Sequence, residues 1–203
     1  MSAAPTKEDL ARIMYEESVQ AAAGLRRHFD ASPMREALGL DPSGGLLLKM
    51  ESALPTGSFK IRGAMHRLQH LSEEERGRGV VAASTGNHGA AVAHAASLTG
   101  VAATVLIPEP TPDGRAQAIT SRGAGVVRSG AECGEAEAAA RQRAEASGET
   151  FVSPYNDPVV MAGQGSLGVE LLQHLPTLRR VYIAVGGGGL IGGVSAVLKH
   201  VAP

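Results

Sequence analysis

The 203-residue sequence predicts an α/β fold, mostly parallel twisted sheets flanked by helices. Two observations carry this. Short apolar runs alternate with segments of helical periodicity from residue 80 onward. The stretches between runs are long enough for the crossover connections that parallel strands require. The chain has no low-complexity linker and no repeat of fixed period, so any division into domains is interleaved.

The elements follow in order. "KEDLARIMYEESVQAAAGL" reads as a helix because Leu10, Ile13, Met14 and Val19 share a face. "GGLLLKME" gives a short strand over residues 46–50. Ser58 is placed as an N-cap. Ile61, Ala64, Met65, Leu68 and Leu71 then follow as one buried stripe, with Lys60 on its flank. "SEEERGRG" reads as a charged turn. "VVAAS" is a buried strand, and "GAAVAHAASLTG" an alanine-rich helix closed by Gly100. Strands "AATVLIP" and "GVVR" alternate with helices "PDGRAQAITSRGA" and "ECGEAEAAARQRAEASG". "TFVSPY", "MAGQGSLGVELLQHL", "RVYIAV" and "LIGGVSAVLKH" continue as strand, helix, strand, helix.

Composition excludes several functions. A formal net charge of -1 gives no field for a polyanion, and three Tyr, three Phe and no Trp leave little for base stacking. Nucleic acid is therefore not an expected partner. No apolar run approaches the roughly 20 residues that span a bilayer, and the first residues lack the apolar core of a signal peptide. The single Cys133 has no internal partner, which suits a reduced compartment, the cytoplasm by default.

In open α/β sheets, ligands bind beyond the carboxyl ends of the strands, and three loops there carry chemistry. In "VYIAVGGGGLIGGV", Gly186, Gly187, Gly188 and Gly189 let backbone N–H groups converge on an anion at a helix N-terminus, which reads as a phosphate site. The string also fits G-x-G-x-x-G at Gly187, Gly189 and Gly192. A dinucleotide site expects an acidic residue about 20 positions on. Only 14 residues follow Gly189 and none is acidic. "STGNHG", residues 84–89, offers two hydroxyls, an amide and an imidazole beside free N–H donors, suited to a small carboxylate or a ring hydroxyl. The same residues serve equally as ordinary helix caps. In "PTGSFKIRGA", Lys60 faces the positive end of a helix dipole, where a cation is disfavoured. Burial there would expose a neutral amine, a Schiff-base nucleophile; taken alone, the segment also suits a surface lysine snorkelling off the helix edge. His66 and His70, four apart, fall on the polar side of their helix with no carboxylate placed to join them. They are assigned to a solvated face, and no metal site is expected. Cys133 has no reactive signature around it.

Together "SFKIRGA", "STGNHG" and "VGGGGLIGG", in this order and spacing, resemble the pyridoxal-phosphate enzymes of fold type II, the threonine/serine dehydratase and serine racemase group. "SPMREA" and "VVMAGQGSLGVELL" match as well, so the resemblance covers nearly the whole chain. It implies a tryptophan synthase β-like fold with a large cofactor-binding domain over residues 1–78 and 157–203, incomplete, and a small domain over 79–156. It also implies that Lys60 carries pyridoxal 5'-phosphate covalently, with Phe59 beside the ring. Gly186 to Gly189 would hold the phosphate and Asn87 the ring hydroxyl. Ser84, Thr85, Gly86 and His88 would receive the substrate carboxylate. The implied reaction is deamination of a small β-hydroxy amino acid to a 2-oxo acid and ammonia, with Lys60 as the base at Cα. Racemisation, β-replacement and mere binding of a phosphorylated ligand are the alternatives, and a homo-oligomer is expected of the full-length protein.

Two departures stand out. Thr85 falls where dehydratases of this group commonly have Ala and racemases Ser. "STGNHG" looks closest to the dehydratases associated with hydroxyectoine breakdown. Family members also run to about one and a half times this length or more, which points to a fragment. The remainder would supply further strands, the partner of the pyridine nitrogen, and the divalent-cation site of some members.

Overall fold

The structure, a computed structural model, describes residues 6–201. Helix α1 (Lys7–Leu25) starts at a capping box in which Thr6 Oγ1 accepts from Asp9 N–H at 3.1 Å and Thr6 N–H donates to the Asp9 carboxylate at 3.0 Å. A two-stranded antiparallel ribbon follows, β1 (Met34–Glu36) against β2 (Leu47–Lys49). Strand β1, within "SPMREA", was not expected. Helix α2 (Lys60–Gln69) carries the anticipated stripe: Ile61, Ala64, Met65 and Leu68 are wholly buried and Leu71 nearly so.

Two local expectations are corrected. The N-cap of α2 is Phe59, with no side-chain cap; Ser58 Oγ accepts from Lys60 N–H only at 3.4 Å. The charged "SEEERGRG" is a helix, α3 (Glu73–Arg78), nucleated by a capping box between Ser72 and Glu75. Its acids lie in the first turn and Arg76 and Arg78 in the last, each facing the favourable end of the dipole.

The central sheet is parallel throughout, in the order β5-β4-β3-β6. Its strands are β3 (Val80–Ala83), β4 (Ala103–Ile107), β5 (Gly125–Arg128) and β6 (Thr150–Phe151). The crossovers are α4 (Asn87–Thr99), α5 (Asp113–Thr120) and α6 (Cys133–Ser147). Alternate side chains serve opposite faces, as the two-residue period of a strand requires. Val80 and Ala82 pack with α2 and α4, through Ile61, Met65, Ala91 and Val92. Val81 and Leu106 pack on the other face against Ala140 of α6. The core around Leu25, Met65, Val80 and Val92 is continuous across residue 79.

Helix α7 (Pro158–His174) is capped by Asp157 Oδ1, which accepts from Val159 and Val160 N–H at 2.8 and 3.2 Å. It crosses α2 at backbone contact: a Cβ on Gly163 would lie 2.6 Å from Gly63 Cα and 2.7 Å from the Arg62 carbonyl oxygen. Helix α8 (Gly189–Val201) packs on α7 through Val194, Leu167 and Leu171. The expected strand "RVYIAV" has no ladder among the described residues. It keeps a strand's alternation nonetheless: Val181 and Ile183 pack on α7 and α8, while Tyr182 is 77% exposed. No helix among the described residues is long and apolar enough to cross a membrane.

Candidate active site

The strand order fixes where a site forms. From β3 the chain moves outward to β4 and β5, then returns through α6 to β6 on the opposite edge of β3. The carboxyl ends of β3 and β6 therefore flank the point where the topology reverses, the crevice in which α/β sheets bind ligands. Ser84 to Gly89 leaves β3 into this crevice, and Val152 to Asn156 leaves β6 into it.

The segment after β6 gathers the three loops. The Val152 carbonyl accepts from His88 Nε2–H at 2.9 Å. The Pro154 carbonyl accepts from Lys60 Nζ at 2.7 Å. Tyr155 packs under the glycine loop: a Cβ at Gly187 would overlap its ring, and one at Gly189 would come within 2.8 Å of its Cα. Ser153, buried, bends the segment by accepting from Asn156 N–H at 3.0 Å. None of Val152, Ser153, Pro154 or Tyr155 was singled out from the sequence, because two of the four act through carbonyls that every residue possesses.

Lys60 is the first residue of α2 and half-buried. Its amine lies 5.1 Å from the centroid of the Phe59 ring. Burial moves its pKa down, so the neutral amine is more accessible than in solution. Two residues on, Arg62 is wholly buried and anchors the same turn. It donates to Glu51 at 2.7 and 2.9 Å, to both Glu170 oxygens at 2.9 Å, and to Ser166 and Ser32 at 3.1 and 3.2 Å. Lys49 completes the group, 2.6 Å from Glu170. Two cations and two carboxylates balance, which is what permits them to be buried together.

The "STGNHG" loop divides its side chains. Ser84 and Thr85 are half-buried, Gly86 and Asn87 exposed, and Asn87 opens α4 with the free N–H groups of a helix N-terminus. His88 differs from the picture of an imidazole lining the loop. It is buried, its ring is held by the Val152 carbonyl, and burial with the nearby Lys60 charge brings its pKa to about 4. The neutral ring fastens α4 to the segment after β6, leaving backbone N–H groups and hydroxyls for a ligand.

The glycine loop tests for a phosphate. Tyr155 accounts for Gly187 and Gly189, and Gly188 has a φ of +87°, which a side chain rarely adopts. Gly186 has no such demand: a Cβ there meets nothing within 4 Å. Its bare backbone, open space and the N-terminus of the 13-residue α8 leave a cradle that suits a phosphate. With the half-buried amine of Lys60 tied to the same segment, the residues present fit pyridoxal phosphate.

One reading from the sequence is overturned. His66 is 1% exposed and not solvated, because α2 is enclosed by α1, α4 and α7 and has little polar side. A carboxylate, Glu17 of α1, does lie beside His66 and His70.

A half-buried lysine amine and a glycine loop gathered beside the reversal point of a parallel sheet are the arrangement of an α/β protein suited to a phosphorylated cofactor. The pyridoxal-phosphate dependent enzymes match residues 25–203. The L-threonine ammonia-lyase of Thermotoga maritima is 49% identical over 193 residues, covering 94% of this chain and 48% of that protein. Threonine deaminase isoform 2 from Solanum lycopersicum superposes with a TM-score of 0.89 at 32% identity, over 100% of this chain and 56% of that one. Maize serine racemase gives 0.87 at 31%, over 93% and 58%. The chain belongs to the fold type II pyridoxal-phosphate enzymes, in the threonine/serine dehydratase and serine racemase group. It spans about half the length of the curated relatives it matches.

Proposed function

We propose that this chain is the cofactor-carrying part of an ammonia-lyase that converts a small β-hydroxy amino acid, threonine- or serine-like, to a 2-oxo acid and ammonia. The observation that carries the reading is the convergence of Lys60, His88 and the glycine loop on residues 152–155. Lys60 holds pyridoxal 5'-phosphate, Gly186 to Gly189 its phosphate, Phe59 one side of its ring and Asn87 its hydroxyl. The cofactor, when bound, supplies an electron sink that acidifies the substrate Cα. Ser84, Thr85, Gly86 and the His88 backbone hold the substrate carboxylate by hydroxyls and the N–H groups of the α4 terminus. Released when the substrate amine takes its place, Lys60 would take the Cα proton on Nζ, a role that its burial favours by lowering the amine's pKa. Residues 1–78 and 157–203 form the larger domain and 79–156 the smaller, and the protein works in the cytoplasm as a homo-oligomer.

The test is direct. Pyridoxal phosphate is added, the protein is reduced with borohydride, and peptides are mapped by mass. An adduct on Lys60 is expected, and no adduct there refutes the assignment. Incubation with L-threonine and L-serine should then release 2-oxo acid; appearance of D-serine without 2-oxo acid would make the protein a racemase instead.

A further inference from the structure

The end of α2 remote from Lys60 holds a cluster that the cofactor site does not use. His66, His70 and Glu17 each offer one ligand atom, and these atoms lie within 4.8 Å of one another. His66 is buried with neither Nδ1 nor Nε2 hydrogen-bonded, an uncompensated cost in a group that has two polar atoms to satisfy. His70 sits edge-on to it, with ring centroids 4.1 Å apart. The His70 Nδ1–H donates to the His66 carbonyl at 2.8 Å, which fixes the tautomer and leaves the Nε2 lone pair free. A carbonyl holding the far nitrogen is how metal-binding imidazoles are oriented. Glu17 has no salt-bridge partner among the described residues, although its neighbour Glu16 pairs with Arg12.

We propose that Glu17, His66 and His70 form a binding site for a borderline-soft divalent cation of the Zn2+ class, bridging α1 and α2. Two imidazoles and a carboxylate suit such an ion, whereas Mg2+ and Ca2+ prefer all-oxygen shells. Three protein ligands leave a fourth tetrahedral position for water. Metal bonds of about 2.0–2.2 Å place tetrahedral ligand atoms roughly 3.3 Å apart, so the cluster contracts on binding. The exposed His70 and half-buried Glu17 have the rotamer freedom for that, and the solvent side of His70 is the way in. His66 stays fixed, its Cβ 2.9 Å from where a Cβ on Gly163 would stand. The ion would join two helices about 9 Å along α2 from Lys60, at the helical rise of 1.5 Å per residue. It would thus brace the lysine's helix without touching the cofactor.

Untagged protein, stripped with a chelator, is titrated with Zn2+ by calorimetry and by competition with a chromophoric chelator. One stoichiometric equivalent is expected. His70→Gln and Glu17→Gln should each weaken it at least tenfold, and His94→Gln, on α4 and outside the cluster, should leave it unchanged. Co2+ loading should give the intense visible bands of a tetrahedral site in the parent and not in His70→Gln. Both informative substitutions lie at partly open positions, and far-UV circular dichroism checks that they fold. Absence of a stoichiometric equivalent, or affinity unchanged in both variants, overturns the proposal.

Discussion

Arg62→Met leaves Lys49, paired with Glu170, as the one cation of the group and Glu51 without its ion-pair partner, so a neutral buried group acquires one uncompensated negative charge. Arg62 is wholly buried, Glu170 is 4% and Glu51 15% exposed in their side chains, so solvent screens little of that charge. Removing one partner of such a group costs about 3–5 kcal/mol. Glu170→Gln on top of Arg62→Met returns the net charge of the group to zero, with Lys49 against Glu51. The double variant is therefore expected to lose no more stability than Arg62→Met alone, although Glu170→Gln by itself should also destabilise. The assay is urea unfolding followed by circular dichroism, at neutral pH, for the four members of the cycle, with coupling taken from their differences. Strict additivity, or a loss below about 1 kcal/mol for Arg62→Met, would show that the charges are solvated and the reasoning wrong.

Lys60→Ala should abolish both the visible absorbance of bound cofactor and the borohydride adduct, while the fold by circular dichroism stays. Gly186→Ala meets open space and should change stability by less than about 0.5 kcal/mol, yet weaken cofactor binding at least tenfold in a fluorescence titration. Gly163→Ala drives a methyl into the α2 backbone and should cost about 1–3 kcal/mol or more in the same unfolding assay. His88 is neutral when folded, with its pKa lowered from 6.5 to about 4 by burial, so the unfolded chain binds the extra proton first. Its contribution is complete above pH 6.5 and is lost as pH falls towards 4; His88→Gln should flatten that part of the stability profile, worth about 3 kcal/mol.

Much of the fold could be read from periodicity, and the misreadings share a cause. The strands of the parallel sheet and all the long helices were visible because apolar residues recur at the spacing their neighbours demand. Helix α3 was hidden by its charge, although Ser72 and Glu75 spell a capping box. Strand β1, half-exposed and carrying Arg35 and Glu36, has no apolar signature. "RVYIAV" has the signature and no ladder, since periodicity reports burial while a strand also needs a hydrogen-bonding neighbour. A single buried stripe on α2 predicts a solvated His66, but a helix packed by three others buries that position and leaves only its last turn, at His70, open to solvent. At the site, the glycines were legible as a group, but their division of labour was not. Only the position of Tyr155 and the backbone angle at Gly188 separate the three glycines that the fold requires from Gly186, which meets neither demand.

The bend after β6 contributes to the site what no side-chain replacement can remove. A scan that exchanges residue 152 or 154 for alanine alters what those positions display and leaves both carbonyl acceptors in place. Such a scan would map the lysine, the histidine and the glycines as separate sensitivities and pass over the strip of chain that makes them one unit. An amide-to-ester exchange between Pro154 and Tyr155, which weakens the acceptor without changing a side chain, reaches it. In this protein the wiring of the site is written in peptide groups, and chemistry on the backbone is the means of testing it.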